Sequence, residues 1–490
     1  MANNFKTDDS FLRKLAVGAA GTNATIDMLK EYGFNPIELE RGSTGFKIWK
    51  KIKIKRVRVP DILCLDTGLR FESRGKTKLE ISMSHSMNNE KRRWDYGMRE
   101  DDIVSVMLLH QEQDNPAKVE LMSPIHFITV KDMKYAFDLE QVELSKPKGV
   151  EEGSEVRAIW ISKASNSDSI VIEVTDKKMC LQPKCGGRNQ TVQLSAKRDK
   201  FKLYPQVNEG DEVLKNQIVA SVVPLSTIIN RPKTVSEDYF IKKLDSKSLS
   251  ERYAASKALR YRGYNKATDK LRELMSDPDE DIYVQLEAAA ALAVKNDMDA
   301  WSFMGNKLRR PPEQVPLETQ LETVIVLSEL TDARSEDLII NVLRDINCDD
   351  ELRAGAAWAL GQFVSKKSAS ALVDTFNSTP TEIKIEAARA LLRIADPQVD
   401  FLVDLIQNCE LEQRDGLAWV LSKVGKFNPS DLLSEDINLR KWVSYITGYG
   451  KDNFSEDMIK ELCDKDKEVY FAASVLWQIV SSWVYELQEY

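Results

Sequence analysis

The sequence predicts a multidomain protein with three parts in series: an N-terminal α/β domain (residues 1–145), a small β-rich domain (146–232) and an all-α C-terminal domain (233–490). Two observations support this order. Before residue 224, many short runs alternate apolar and polar residues at a period of two, which is typical of strands. After residue 234, one helical pattern recurs about every 30 residues, which is typical of stacked helical hairpins.

The composition is that of a soluble globular protein, because 42% of the residues are hydrophobic and 30% are charged. The N-terminal segment lacks the apolar core of a signal peptide. No apolar stretch reaches the roughly 20 residues that a membrane-spanning helix needs. The six scattered cysteines suit a reducing compartment better than a disulfide framework. We therefore expect a cytoplasmic protein that does not bind a membrane.

The N-terminal domain begins with a predicted helix over residues 10–32, interrupted between Gly18 and Gly21, and a strand from Pro36 to Leu39. A basic strand is predicted from Lys47 to Val59, since lysines alternate there with apolar residues. The net charge is −8, yet residues 41–60 contain eight Lys or Arg and no acid. We predict that this strand contacts nucleic-acid phosphates through Lys51, Lys53, Lys55, Arg56 and Arg58.

Residues 60–76, PDILCLDTGLRFESRGK, are predicted to form a β-hairpin, because Asp66-Thr67-Gly68 is a turn signal between two apolar runs. If the turn centres between Asp66 and Thr67, residues whose numbers sum to 133 lie opposite one another. Asp61 then faces Glu72, with the two carboxylates about 5 Å apart.

Arg74 and Lys76 follow Glu72 on the same face of the hairpin by the period of two. Two adjacent carboxylates repel each other unless a cation lies between them, and oxygen ligands suit Mg²⁺ (or Mn²⁺). Asp61 and Glu72 are therefore candidate metal ligands. The alternative is a solvated hairpin with ordinary surface charges.

The order of helix, strand and hairpin, with Pro60-Asp61 followed by Glu72, resembles the PD-(D/E)XK nuclease superfamily. The resemblance implies phosphodiester hydrolysis with a divalent metal held by Asp61 and Glu72. Arg74 stands where the family has its catalytic lysine, and arginine cannot act as a base because it stays protonated. Lys76 is the candidate replacement, with Arg74 neutralising phosphate charge. Many members also carry an acid in the first helix, and the corresponding region here, Thr22-Asn23-Ala24, has none.

Downstream, Leu79 to Ser86 alternates as a strand and is followed by Arg92, Arg93 and Trp94. The two arginines are predicted to clamp a nucleic acid while Trp94 stacks on a base. The alternative places Trp94 in the hydrophobic core.

The middle domain is predicted from short β runs between Val150 and Val223. Its last segment, from Leu203 to Val223, resembles half of a barrel-sandwich hybrid domain. No hairpin with a modifiable lysine follows, so no biotin or lipoyl attachment is expected.

The C-terminal domain repeats a helix of small residues followed by Leu or another large apolar residue, as in AAAALAV and AAWALGQ. Eight copies are spaced by 25 to 35 residues, the length of two helices and two turns. The copies begin at Ala254, Ala288, Thr323, Ala356, Ala387, Leu417, Trp442 and Ala472.

These copies resemble HEAT repeats over roughly residues 245–485. The resemblance implies a solenoid that binds a protein or a nucleic acid on its concave face. An ordinary helical bundle is the alternative.

Two functions follow from these features. The first is a metal-dependent nuclease in prokaryotic defence or DNA repair, whose N-terminal domain binds nucleic acid and whose HEAT repeats bind a protein partner. The second is a non-catalytic adaptor in which a degenerate nuclease fold only binds nucleic acid or protein.

Overall fold

The computed structural model describes ten stretches of the chain: residues 8–39, 57–113, 118–146, 155–196, 200–236, 238–262, 265–309, 315–377, 380–425 and 436–449. Within these stretches the residues up to Leu271 form one unit and those from Arg272 form a second. The basic segment from Lys47 to Arg56 and the repeat copy at Ala472 lie outside the described residues.

The first unit begins with a helix, seven strands and a second helix. These are α1 (Asp8–Glu31), β1 (Pro36–Glu38), β2 (Ile62–Cys64), β3 (Arg70–Lys76), β4 (Ile81–Ser86), β5 (Ile103–Gln111), β6 (Val119–Leu121), β7 (His126–Thr129) and α2 (Val130–Asp138). The largest sheet has the order β1-β2-β3-β5-β6, and β7 also pairs with β5. β2 and β3 form an antiparallel hairpin, whereas β3 and β5 run parallel.

Helix α1 packs on one face of β3 and continues through Gly18 and Gly21, so the predicted interruption is wrong. Glycine allows the helix to approach the strand closely. A Cβ at Gly21 would lie 3.0 Å from the Cα of Gly75, and a Cβ at Gly75 would lie 2.7 Å from the Val17 carbonyl oxygen. Leu29, Phe71 and other apolar residues of this face form the first hydrophobic core.

The following part of the first unit is rich in short strands. These are β8 (Glu143–Ser145), β9 (Glu155–Trp160), β10 (Ser162–Ala164), β11 (Ser169–Val174), β12 (Lys178–Pro183), β13 (Gln190–Gln193), β14 (Ser195–Ala196), β15 (Phe201–Lys202), β16 (Tyr204–Pro205), β17 (Glu212–Val213) and β18 (Ile218–Ser221). A four-stranded sheet has the order β13-β12-β11-β17, and a three-stranded sheet joins β4, β9 and β8.

A second hydrophobic core runs from Ile81 to Val223. It therefore includes residues on both sides of residue 145, because β4 pairs along its length with β9. Trp160 is completely buried there, and its indole nitrogen donates to the Met133 carbonyl oxygen at 3.1 Å.

Helices make up the rest of the described chain. They are α3 (Asp238–Lys243), α4 (Leu249–Arg262), α5 (Thr268–Ser276), α6 (Ile282–Ala293), α7 (Met298–Arg309), α8 (Leu317–Leu330), α9 (Ala333–Arg344), α10 (Asp350–Leu360), α11 (Lys366–Asp374), α12 (Thr381–Ala395), α13 (Val399–Asn408), α14 (Leu411–Val424) and α15 (Ile437–Tyr449). Throughout the described residues, no helix combines the length and apolar character needed to cross a membrane.

The first seven copies of the repeated motif lie on α4, α6, α8, α10, α12, α14 and α15, which we call the inner helices. Their alanines and leucines are almost all buried, and successive inner helices such as α10, α12 and α14 contact one another. Small side chains allow these helices to pack closely, which explains the high alanine content.

A second position of the repeat bears polar side chains that stabilise the turns between helices. It lies three residues before the motif, and its side chains donate to a carbonyl oxygen at or just past the end of the preceding helix. Gln320 donates to the carbonyl oxygen of Leu308 at 3.3 Å, and Arg353 donates to that of Leu343 at 3.1 Å. Gln285 donates to the carbonyl oxygen of Asp277. The last carbonyl groups of a helix lack intrahelical donors, so these contacts satisfy groups that would otherwise be buried unpaired.

The close approach of α1 to β3 predicts opposite effects for two glycine substitutions. Gly75→Ala should lower the free energy of unfolding by about 1–3 kcal/mol, because the new methyl group would overlap the Val17 carbonyl and Leu109. Gly18→Ala, in the same helix with nothing within 4 Å of the new methyl group, should raise it by up to about 1 kcal/mol. Urea unfolding of both variants measures the difference, and equal effects would contradict this packing.

Candidate functional site

The candidate site lies on the β2–β3 hairpin, on the face away from α1. Ile62 pairs with Phe71 and Leu63 with Arg70, which confirms the predicted register in which residue numbers sum to 133. Asp61 lies one residue before β2, next to the last paired residue of the hairpin. Glu72, Arg74 and Lys76 alternate along β3, so they share this face.

Both carboxylates of the site have partners inside the protein. Oδ2 of Asp61 accepts a hydrogen bond from the backbone N–H of Ser73 at 2.6 Å. Glu72 is only 4% exposed and forms an ion pair with Arg74. Arg74 also places its Nε 3.1 Å from the sulfur of Met83 on β4. The negative charge of Glu72 is thus neutralised by the residue two positions further along the strand.

Lys76 lies in a site that disfavours its charged form. Its Nζ donates to the backbone oxygen of Ser82 at 3.1 Å and lies 3.3 Å from the hydroxyl of the same residue. Burial, together with the positive charges of Arg74 and Arg157, lowers the pKa of Lys76 to about 8, and the nearby Glu80 opposes the shift only in part. A lysine with this pKa is neutral in a substantial fraction of molecules at mildly alkaline pH, as a general base requires.

The donor set for a metal ion is small. Among the described residues, no group of three or more His, Cys, Asp or Glu side chains is arranged to hold a metal. Mg²⁺ can bind through one or two carboxylates when water and substrate phosphates complete its coordination. Asp61 and Glu72 provide these two carboxylates, but Glu72 would have to leave Arg74 to bind the ion.

The predicted nucleic-acid residues do not form one surface in the described part of the chain. Lys51, Lys53, Lys55 and Arg56 lie outside it. Arg58 is exposed and donates to the Arg93 carbonyl oxygen at 3.2 Å, and Arg92 forms an ion pair with Glu155 on β9.

Trp94 is 5% exposed and packs edge-on against Trp160 with ring centroids 5.0 Å apart. This core position removes Trp94 as a stacking platform, so the alternative made from the sequence holds for this residue.

Sequence reasoning missed a buried polar network at the start of β3. Arg70 is 1% exposed, and its Nε donates to Oδ1 of Asp102 at 2.9 Å. Its Nη1 donates to the hydroxyl of Ser250 on α4 at 2.7 Å. Asp102 also accepts from the backbone N–H of Arg99 at 2.6 Å. Arg70 and Asp102 are 32 residues apart, so no local sequence pattern predicts that they pair. The signal available in the sequence was a charged residue at a strand position that points into the protein.

The same network reaches the turn of the hairpin. Arg99 donates to the Gly68 carbonyl oxygen at 2.8 Å and to the Tyr239 hydroxyl at 2.9 Å. Gly68 has a positive φ of 72°. The ring of Tyr239 covers this turn so closely that a Cβ at Gly68 would lie 2.5 Å from it. On the other side, the carboxylate of Asp66 pairs with Arg231 at 2.6 Å.

Comparison with known proteins supports the prediction of HEAT repeats in the C-terminal half of the chain. A family model of HEAT repeats matches residues 336–422. This match covers α10, α12 and most of α14 and does not reach the hairpin, so the PD-(D/E)XK resemblance remains a prediction. A search of curated proteins finds no match.

Several solved structures are similar to this chain at low identity. The complex of CpcE and CpcF of phycocyanin lyase from Nostoc sp. PCC7120 is 19% identical, covers 51% of this chain and 97% of its own, and has a TM-score of 0.24. Human deoxyhypusine hydroxylase is 16% identical, with 44% and 83% covered and a TM-score of 0.19. An engineered protein is 20% identical, with 51% and 80% covered and a TM-score of 0.24. At these TM-scores the similarity carries no further argument.

The depressed pKa of Lys76 predicts a pH-dependent stability that Lys76→Met should remove. The folded-state pKa of about 8 lies below the ordinary value of 10.5, so charging Lys76 opposes folding below pH 8. The wild-type protein should therefore gain stability, relative to Lys76→Met, as pH rises from 8 toward 10.5. We expect a relative gain of about 1–3 kcal/mol, measured as the free energy of unfolding in urea at pH 7.5 and 10.

The matched control is Lys78→Met, because Lys78 is exposed. Its stability relative to wild type should not change with pH across this range. A constant difference between wild type and Lys76→Met would contradict the depressed pKa.

Proposed function

We propose that the protein is a scaffold whose HEAT repeats bind a protein partner. The observation that carries this proposal is the run of helical hairpins from α5 to α15, of which residues 336–422 match HEAT repeats. Each hairpin buries its small residues against its neighbours and exposes its turns to solvent. A stack of this kind offers an extended surface on which a partner can contact several repeats at once.

Three exposed apolar residues of the second unit lie on one edge of the stack, which we propose as the edge that the partner contacts. Consecutive helices joined by short turns run antiparallel, so turns after inner helices share one edge of the stack. This edge, which we call the inter-repeat edge, has exposed Val294 and Met298 after α6 and exposed Val364 after α10. Apolar side chains that recur along one edge favour a protein interface.

An arginine and a tryptophan lie beside these apolar residues. The Arg334 guanidinium stacks over the Trp301 ring, 4.4 Å from its centroid, and donates to Asn296 at 2.8 Å. One of its nitrogens lies 4.0 Å from the Met298 sulfur. Trp301 is 6% exposed and lies beneath Arg334, so Arg334 is the member of this pair that a partner can contact. Arginine is enriched among the residues that dominate the free energy of protein association, and we propose the turn between α6 and α7 as the centre of the partner interface.

This assignment predicts that a charge at the inter-repeat edge prevents partner binding. The tagged full-length chain is used to purify associated proteins from its native cells, and the proteins are identified by mass spectrometry. A partner bound by the wild-type chain should be lost from the double variant Met298→Glu and Val364→Glu. The reason is that charges replace exposed apolar contacts, at a cost of about 2 kcal/mol or more at a central contact.

The control variant is Ile346→Glu, because Ile346 is 80% exposed. It follows α9, a helix that lies between two inner helices, so it is on the opposite edge of the stack. This chain should retain the partner. Loss of the partner from both variants, or from neither, would exclude the inter-repeat edge as the interface.

A second candidate function, metal-dependent nucleic-acid cleavage, is favoured by one observation. Lys76, whose pKa is lowered to about 8, shares a strand face with Glu72, and Asp61 accepts a hydrogen bond from the backbone N–H of Ser73, the residue after Glu72. In this proposal Asp61 and Glu72 hold Mg²⁺ or Mn²⁺, and Lys76 accepts the proton of the attacking water. The metal supplies charge stabilisation at the phosphate when it is bound.

Arg74 decides whether this candidate site can act. In the structure Arg74 forms an ion pair with Glu72 and neutralises it. A nucleic-acid phosphate could attract Arg74 away from Glu72 and leave the carboxylate for the metal, because guanidinium groups bind phosphate as well as carboxylate. Cleavage would then depend on substrate binding before metal binding.

The nuclease proposal predicts cleavage of single- or double-stranded DNA or RNA in the presence of Mg²⁺ or Mn²⁺. Asp61→Asn should abolish it, and Lys76→Ala should slow the chemical step about 100-fold with little change in substrate binding. The rate should rise with pH up to about 8, because the neutral amine is the active form. Single-turnover kinetics on labelled oligonucleotides measure each effect.

Lys78→Ala is the control, since this exposed lysine lies outside the candidate site, and its rate should equal that of the wild type. Absence of cleavage with every substrate and both metals would exclude the nuclease and leave the scaffold proposal intact.

A further inference from the structure

A cleft of about 810 Å³ lies in the first unit, between β4, α2 and the strand β8, away from the β2–β3 hairpin. Its walls include His85, Trp94 and Phe137. Charged side chains surround these aromatic rings, among them Arg93, Lys134, Asp138, Glu140 and Lys200. This volume lies within the range of about 300–1,000 Å³ that small-molecule sites occupy in proteins.

His85 occupies an unusual position for a polar residue. Ile81, Met83 and His85 alternate along β4 toward the second hydrophobic core, so the histidine ends an otherwise apolar row. It is 6% exposed, and its ring packs against Phe137 with centroids 5.0 Å apart.

Nδ1 of His85 is buried and has no hydrogen-bond partner among the described residues. The protein encloses this nitrogen, so His85 contributes to the cleft by supporting Phe137 rather than by contacting a ligand. Burial and the charge of Arg93 lower the pKa of His85.

Some charged side chains of the cleft form ion pairs within the protein, and others do not. Lys134 is paired with Asp95 at 3.2 Å. Arg93 and Lys200, in contrast, form no ion pair within the described part of the chain, and neither do Asp138 and Glu140. The cleft therefore presents two cations and two anions to a ligand, around a wall of aromatic rings.

We propose that this cleft binds a nucleoside phosphate. Arg93 and Lys200 pair with the phosphate, since a guanidinium and an ammonium group both bind phosphate oxygens. The base lies against the partly exposed ring of Phe137, which His85 supports from within the protein. Asp138 and Glu140 accept hydrogen bonds from sugar hydroxyls or from an amino group of the base.

This site is independent of both proposed functions, because none of the residues assigned to the inter-repeat edge or to the hairpin site lines the cleft. Its failure would therefore leave the scaffold and the nuclease proposals unchanged.

Isothermal titration calorimetry of the full-length chain with AMP, GMP, CMP and UMP, each in turn, tests the proposal. At least one nucleotide should bind at one site per chain with a Kd below about 1 mM. Ribose 5-phosphate and inorganic phosphate should bind at least about tenfold more weakly, because they lack the base that packs on the rings.

Arg93→Gln should weaken nucleotide binding about tenfold or more, since it removes a charged partner of the phosphate. His85→Phe should keep nucleotide binding and leave the melting temperature equal or higher, because it removes an unpaired buried nitrogen that does not contact the ligand. Lys131→Gln, an exposed change on α2 outside the cleft, should bind like the wild type.

Three results would overturn the proposal: no saturable binding of any of the four nucleotides, unchanged binding by Arg93→Gln, or ribose 5-phosphate binding as tightly as the nucleotides. Arg93→Gln is the deciding variant, because its side chain is exposed and its replacement should not affect folding.

Discussion

The ion pair between Arg70 and Asp102 is the contact on which the first unit most depends. Both side chains are almost completely buried, and Arg70 also donates to Ser250 on α4. Breaking one partner of a buried pair costs about 3–5 kcal/mol, because the other charge is left without compensation. The pair holds together the start of β3, the segment before β5 and the first inner helix, so the position of the candidate site depends on it.

At the hairpin site, the ion pair between Glu72 and Arg74 stabilises the fold and also affects whether Glu72 can bind a metal. Two carboxylates on neighbouring strands need positive charge nearby, and Arg74 supplies it from within the protein. The neutralisation stabilises the hairpin without a metal, and it also competes with any metal for Glu72. Burial, together with the positive charges of Arg74 and Arg157, lowers the pKa of Lys76 to about 8.

Several features followed from local sequence because they depend on short-range rules. The hairpin register came from the turn at Asp66-Thr67-Gly68, since the number of residues in a turn determines which residues lie opposite one another. The inner helices came from a motif that repeats at the length of a helical hairpin. Both inferences need only the period of a strand or a helix, and these periods are set by backbone geometry.

Other features were decided by contacts between distant residues, which no local pattern encodes. The glycines in α1 looked like a break, but they allow the helix to approach Gly75. Trp94 could have stacked on a base or packed in the core, and Trp160 on a strand far along the chain placed it in the core. The sequence alone determined which residues alternate and which repeat. The tertiary structure alone decided which charges are paired, because desolvation and pairing depend on neighbours brought together by folding.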